Sequence, residues 1–363
     1  MAKAFSGRNR GIALIVTLTV ITLLVSVSLE LNRQVRGSVT DSAIFRDRAT
    51  LVHMLESGVS LASGVLVRDK QDSDTDSIQE DWANPEKIEA YLEALSFPQG
   101  ALSVSISDEL SRIQVNALVD FPDGKAYNQE QRKLWFRFIT LMLLQQEGQE
   151  TAFFSEPIDP AAIIDPVKDW LDSDDNNSIT GLNGAENSYY EDLSPGYSCR
   201  NGPMRHINEL LRTKGITPEM FHSAEAAMSG ISQYMTVHGV ERAGESYTYP
   251  GRININTAEA PVIAGLLPAG HEFLVAEIVA YREEKEAGEY LNELHDADWY
   301  QQVPGLGDVE IDPSLITTSS DTFRINCQAE LFDMKMELQA VVERQKDPES
   351  GKWSCRVLSW RYE

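Results

Sequence analysis

The chain has 363 residues, 42% of them hydrophobic, which suffices for one large core or two to three modest ones. Acidic residues outnumber basic ones 56 to 31, for a formal charge of −25. That does not suit a nucleic-acid binder, because a phosphate-binding surface needs Lys and Arg to displace counterions, whereas an acidic excess keeps a protein soluble and attracts divalent cations.

The first element is apolar. Residues 12–29 (IALIVTLTVITLLVSVSL) carry no charge and are long enough to cross most of a bilayer as a helix. Lys3, Arg8 and Arg10 precede them and Glu30 follows, so the N-terminus is expected in the cytoplasm and the rest outside. A cleaved secretory signal would end at a small-residue site; none follows promptly, and an amphipathic pattern continues through Val35, Val39, Ile44, Leu51, Leu55, Val59 and Ala62. One long helix is predicted, membrane-embedded over 12–33 and packed on a soluble domain over 34–69.

Residues 70–87 are polar and acidic and read as an exposed connection. Residues 101–107 and 111–119 alternate apolar and polar, which predicts two strands around a turn at Asp108 and Glu109. Three more strands are predicted over 322–331, 334–344 and 353–362. The sheet domain is therefore expected from 70–121 and 318–363, with a mainly helical insertion over 122–317.

Within the insertion, the acidic loop 165–192 is the candidate metal centre. Asp172, Asp174 and Asn176 stand at alternate positions, the spacing with which the first half of an EF-hand loop aims oxygens at one cation. The second half of that pattern is absent: Asn177 stands where Gly is needed and Asn183 where Glu is needed. Asp169, Asp175 and Glu186 offer further carboxylates, so a calcium site outside the EF-hand class and a solvated acidic turn are both open at this point. Magnesium suits such a wrapped protein cage less well.

Residues 252–310 resemble a helix-hairpin-helix module, with the segment ININTA (253–258) expected to cap a first helix through Asn256 or Thr257. The hairpin 267–271 (LPAGH) lacks the Gly-x-Gly form that presents N–H groups to phosphate, and Glu272, Glu277, Glu283, Glu284 and Glu286 would repel a polyanion. A structural or protein-binding use is expected; an anchored DNA-uptake protein is the rival. No Gly-x-Ser-x-Gly, His-Glu-x-x-His or phosphate-loop motif occurs, so no enzyme is expected. Cys199, Cys327 and Cys355 are too few for a disulfide framework; Cys327 and Cys355 fall on strands that a simple meander keeps apart.

The basic segment ending in Gly11 and the apolar residues from Ile12 onward resemble the leader of type IV pilins and type II secretion pseudopilins. That resemblance implies cleavage between Gly11 and Ile12 by a prepilin peptidase, methylation of the new amine, and retention of the apolar helix. The fifth position after cleavage, where most such subunits carry a Glu that pairs with a neighbour's amine, is Val16. An apolar residue there, in so large a chain, resembles minor pseudopilin K of the general secretion pathway. DELSRIQVNAL (108–118), DWLDSDDNN with GAENSYY (169–190) and RININTAEAPVIAGL (252–266) resemble further segments of that family, although Ser111 and Arg112 replace its Gly and Lys.

The resemblance implies an α+β, pilin-like fold in which a long N-terminal helix packs on an antiparallel sheet carrying a large helical insertion. It implies a single-pass inner-membrane protein with a periplasmic head, calcium in the acidic loop, and minor pseudopilins I and J as partners at the filament tip. Exported proteins or the outer-membrane secretin are further candidate partners. A minor pilin or adhesin of a type IV pilus shares the anchor and is the remaining alternative.

Overall fold

The computed structural model describes residues 9–95, 97, 99–146, 158–173, 179–222 and 230–362. One helix, α1 (Asn9–Asp72), opens the chain. Nothing between residues 12 and 36 breaks it, and its hydroxyls bond back to its own carbonyls: Thr22 Oγ1 donates to Leu18 O at 2.9 Å and Ser26 Oγ to Thr22 O at 2.8 Å. The hydroxyls of Thr17, Thr19, Thr22 and Ser26 are thereby satisfied without water, as a lipid environment requires. Every residue from 12 to 29 is exposed, outside either core.

The second half of α1 buries Leu51, Met54, Leu55, Val59, Ala62 and Leu66 at three- and four-residue spacing. Each such leucine contributes about 1.5–3 kcal/mol relative to exposure. They pack with Phe323, Ile325, Leu338, Ala340 and Val342 of the sheet. Gly58 permits the approach: a Cβ there would stand 2.9 Å from Val104 Cγ2 and 3.0 Å from Cys327 Sγ.

After α1 come α2 (Pro85–Glu93) and β1 (Ala101–Asp108). A head follows, containing β2 (Ile113–Gln114), α3 (Gln129–Gln146), α4 (Ala161–Leu171), α5 (Asn187–Glu191), α6 (Pro218–His222) and β3 (Met235–Thr236). It continues with the hairpin β4 (Glu241–Ala243) and β5 (Ser246–Thr248), then β6 (Ile253–Asn254), α7 (Ala260–Leu266) and α8 (Val275–Glu283). The hairpin β7 (Lys285–Glu286) and β8 (Glu289–Tyr290), then β9 (Ile316–Thr317), complete it. The chain returns through β10 (Thr322–Leu331), β11 (Met334–Lys346) and β12 (Trp353–Tyr362).

The main sheet is antiparallel in the order β1-β10-β11-β12, so strands on either side of the head pair directly, Ile106 opposite Ile325. The fold is α+β and pilin-like, with the expected helical insertion. A second core lies in the head, where Trp135, Phe138, Trp170, Tyr190, Phe221 and Trp299 are buried.

Three local expectations are corrected. Residues 111–119 do not form a strand beside β1: they make the two-residue β2 and a 3-10 turn, Val115–Leu118, buried on all sides. Their alternation reflects polar side chains with buried partners, since Asn116 Nδ2 donates to Met204 O at 3.0 Å and its Oδ1 accepts from Met204 N at 2.7 Å. Ile113, Val115 and Leu118 belong to the second core, so the head begins before residue 122. Nor are residues 70–87 simply exposed, because Asp76 and Trp82 are buried.

Candidate metal centre

Asp169 lies in the last turn of α4, Asp172 caps that helix, and Glu186 immediately precedes α5. All three are buried, and one carboxylate oxygen of each lies within 4.8 Å of the others. The loop between them wraps closely. Thr180 N donates to Asp169 Oδ2 at 3.0 Å and Ala185 N to the same oxygen at 2.9 Å. A Cβ at Gly184 would overlap Asp169 Oδ2, and one at Gly181, where φ is +59°, would come within 2.6 Å of Asp165 Oδ2. Glycine is needed at both positions for the backbone to reach the carboxylates.

Lys168, one residue before Asp169, bonds Asp172 Oδ2 and lies 3.8 Å from Asp169 Oδ1. Asp165 accepts from Tyr127 Oη at 2.8 Å, and burial pushes its carboxyl up. Three converging carboxylates with one ammonium beside them are a hard-oxygen donor set of the kind calcium takes. Of the five expected ligands, Asp169, Asp172 and Glu186 are brought together; Asp174 and Asn176 lie outside the described residues. The sequence reading missed Lys168, for which the four-residue spacing to Asp172 on one helix face was the available signal.

Two further buried networks join head to sheet. Glu109 bonds Arg324 Nη2 at 2.7 Å, Arg112 Nη1 at 3.1 Å and Thr236 Oγ1 at 2.6 Å. Burial alone would raise its carboxyl, but Arg324 and Arg112 outweigh that and hold it below the usual range. Asp108 accepts from Asn254 Nδ2 and Thr257 Oγ1, both at 2.7 Å.

The segment 253–258 therefore does not cap a helix as expected. The N-cap of α7 is Glu259, with no side-chain cap bond, while Asn256 accepts from Trp299 Nε1 at 2.7 Å and donates to Leu294 O at 2.9 Å. These side chains tie the hairpin region to the sheet domain. Cys199, Cys327 and Cys355 are free thiols.

Ile12 and Val16 stand on the exposed apolar half of α1. Ile12 is 62% and Val16 55% exposed, on the same helix that packs the sheet farther along.

Residues 111–229 match the family model described as type II secretion system (T2SS), protein K. This stretch is similar to a protein K domain. Curated relatives agree with it: type II secretion system protein K of Klebsiella pneumoniae is 24% identical over 266 residues, covering 72% of this chain and 71% of that one. Protein K of Aeromonas hydrophila is 23% identical over 219 residues, 59% of this chain and 61% of that one. The protein K of Pectobacterium carotovorum is 27% identical over 59% of this chain and 60% of its own length. These matches therefore span about three fifths of the latter two relatives.

Among solved structures, the GspK-GspI-GspJ complex of the enterotoxigenic Escherichia coli type 2 secretion system matches with a TM-score of 0.57. The match covers 89% of this chain and 99% of that one at 16% identity, a likeness of fold. The resemblance to protein K thus holds across sequence and fold, and these relatives are named as components of a secretion system.

Proposed function

We propose that this chain is a minor pseudopilin of a type II secretion system, one that sits at the tip of the pseudopilus and supports export of folded proteins across the outer membrane. The carrying observation is α1: one helix whose residues 12–29 are wholly outside both cores, while its second half is fixed to the sheet. Apolar surface on that scale needs lipid before assembly and neighbouring helices after it. The head supports the terminal position. It adds a second core beyond the pilin sheet, and such bulk does not fit between tightly stacked subunits.

In this reading the leader is removed after Gly11 by a prepilin peptidase, the amine of Ile12 is methylated, and the head lies in the periplasm with a single pass through the inner membrane. The partners are pseudopilins of the kind represented by GspI and GspJ in the solved complex, and the molecule acts by assembly, without catalysis. Val16 suits a subunit with no neighbour to pair with on one side, because an unpaired carboxylate among apolar helices is costly. Calcium binds Asp169, Asp172 and Glu186, with Asp174 and Asn176 as further ligands, and secures the loop around α4. The close-wrapped glycines and the excess of buried carboxylate support that assignment.

The test is intact mass and N-terminal sequencing of membrane-extracted protein, with an exoprotein-release assay. A chain beginning at Ile12, and loss of release on its deletion, are expected. A mature chain beginning downstream of Leu29 overturns the reading.

A further inference from the structure

The last turns of α1 and the segment around α2 enclose a groove of about 580 Å³. Its floor is apolar, with Leu61 and Val65 from α1 and Leu95 from just beyond α2. Its lining is also acidic, with Asp69 and Asp72 from α1 and Glu80 and Asp81 from the segment before α2, and the Asp69 and Glu80 carboxylates lie within 4.8 Å of each other. Among the described residues, Arg68 is the one basic residue lining it.

Gly64 also lines this groove, in the interior of a helix, where glycine costs about 1 kcal/mol relative to alanine. A Cβ at that position would meet nothing within 4 Å, so packing inside the chain does not account for the glycine. At Gly58, a turn and a half earlier, sheet side chains do account for it. A small residue facing open space leaves room for a segment arriving from outside.

We propose that this groove docks an apolar segment bearing Lys or Arg, supplied by a protein partner in the compartment of the head. Its aliphatic side chains cover Leu61, Val65 and Leu95, and its cation lies among Asp69, Asp72, Glu80 and Asp81. Charge complementarity and the apolar floor together select this occupant: a bare divalent cation would leave the floor uncovered. Lipid is too far away, since the groove starts roughly 50 Å along the helix from Leu29 at 1.5 Å per residue.

The titration of the acidic lining agrees. Burial, with Asp69 and Asp76 adding, pushes Glu80 up to about 7 against the N–H groups of Ser77 and Trp82. Burial pushes Asp69 up to about 6 although Arg344 of β11 and Lys70 oppose it, while Asp72 adds to the rise. An incoming cation lowers both, so docking near neutral pH releases protons. This inference does not depend on the position of the chain in a filament.

The experiment uses the full chain in zwitterionic nanodiscs and a short amphipathic peptide of leucine and lysine, titrated calorimetrically against an empty-disc blank. Gly64→Leu fills the groove without changing any charge and is tolerated by the open space; it is expected to weaken binding about tenfold or more. Asp72→Asn with Asp81→Asn should weaken it similarly. Removing two charges from the head surface with Glu283→Gln and Glu286→Gln should leave it unchanged. Wild-type affinity in Gly64→Leu overturns the proposal, whether the remaining attraction follows net charge or is abolished by calcium, which would mark the acidic lining as a cation site.

Discussion

Arg344 holds Asp76 with Nη2 at 2.6 Å from Oδ1 and 2.7 Å from Oδ2, joining β11 to the segment after α1 across 268 residues of sequence. Nη1 of the same guanidinium reaches Asp69 at 3.1 Å, and its plane lies over Phe323 at 4.6 Å. Asp76 also accepts from Ser320 N at 2.8 Å, and its carbonyl accepts from Asn254 at 2.9 Å. Helix, sheet and head meet at this residue.

Removing one partner leaves the other charge buried and unpaired. Arg344→Met is expected to cost about 3–5 kcal/mol in urea unfolding. Arg344→Lys should recover only part of that, because one ammonium cannot reproduce the fork. A loss below about 1 kcal/mol for Arg344→Met would place the pair among the weak surface bridges.

Glu80 sets a pH dependence of definite sign. Its folded carboxyl titrates at about 7 because of burial, against 4.5 for an unperturbed Glu. The folded state thus holds the proton more tightly than the unfolded chain. Its stabilisation is complete below about pH 4.5 and is lost as pH rises through about 7. Glu80→Gln is expected to flatten the fall in urea midpoint between pH 5 and pH 8; parallel profiles for the two proteins would contradict this.

The two glycines of α1 predict opposite outcomes. Gly58→Ala overpacks the interface with Val104 and Cys327 and should cost about 1–3 kcal/mol despite the better helix propensity of alanine. Gly64→Ala, facing open space, should gain up to about 1 kcal/mol. Thermal unfolding of the pair reads both signs in one experiment.

For the acidic loop, chelation is expected to lower the melting temperature of the protein, since a ligand at a hundredfold excess over its Kd adds about 2.7 kcal/mol. Asp172→Ala should abolish that sensitivity. Lys168→Met removes the cation competing for Asp172 and should tighten calcium binding about tenfold, ~1.4 kcal/mol. Identical melts with and without chelator would exclude the calcium reading.

Under the proposed tip position, Val16→Glu should lower exoprotein release, because the added carboxylate finds no amine there. Undiminished release by this variant would show that the position is paired.

Much of the fold was legible in the residues because it is written in local periodicity. The uncharged run 12–29, the four-residue spacing from Leu51 to Leu66, and the alternation of 322–331 and 353–362 each fix an element by which face must leave water. The β11 strand ran two residues past its expected end at Arg344. The acidic loop was visible as a composition, and three of its carboxylates do converge, yet Lys168 and the cradle at Gly181 and Gly184 were not read from it. Residues 111–119 misled because buried Gln114 and Asn116 look like solvent-facing positions until Met204 and its neighbours supply their partners.

The sequence by itself determined the long apolar helix, the four strands of the main sheet and the acidic character, since these follow from which atoms each short segment must keep from or give to water. Only the tertiary structure decided how Asp76, Asp108 and Glu109 survive burial. Their partners Arg344, Asn254 and Arg324 stand far away in the chain, and a buried charge is stable only where folding brings its counter-charge and hydrogen bonds within about 3 Å.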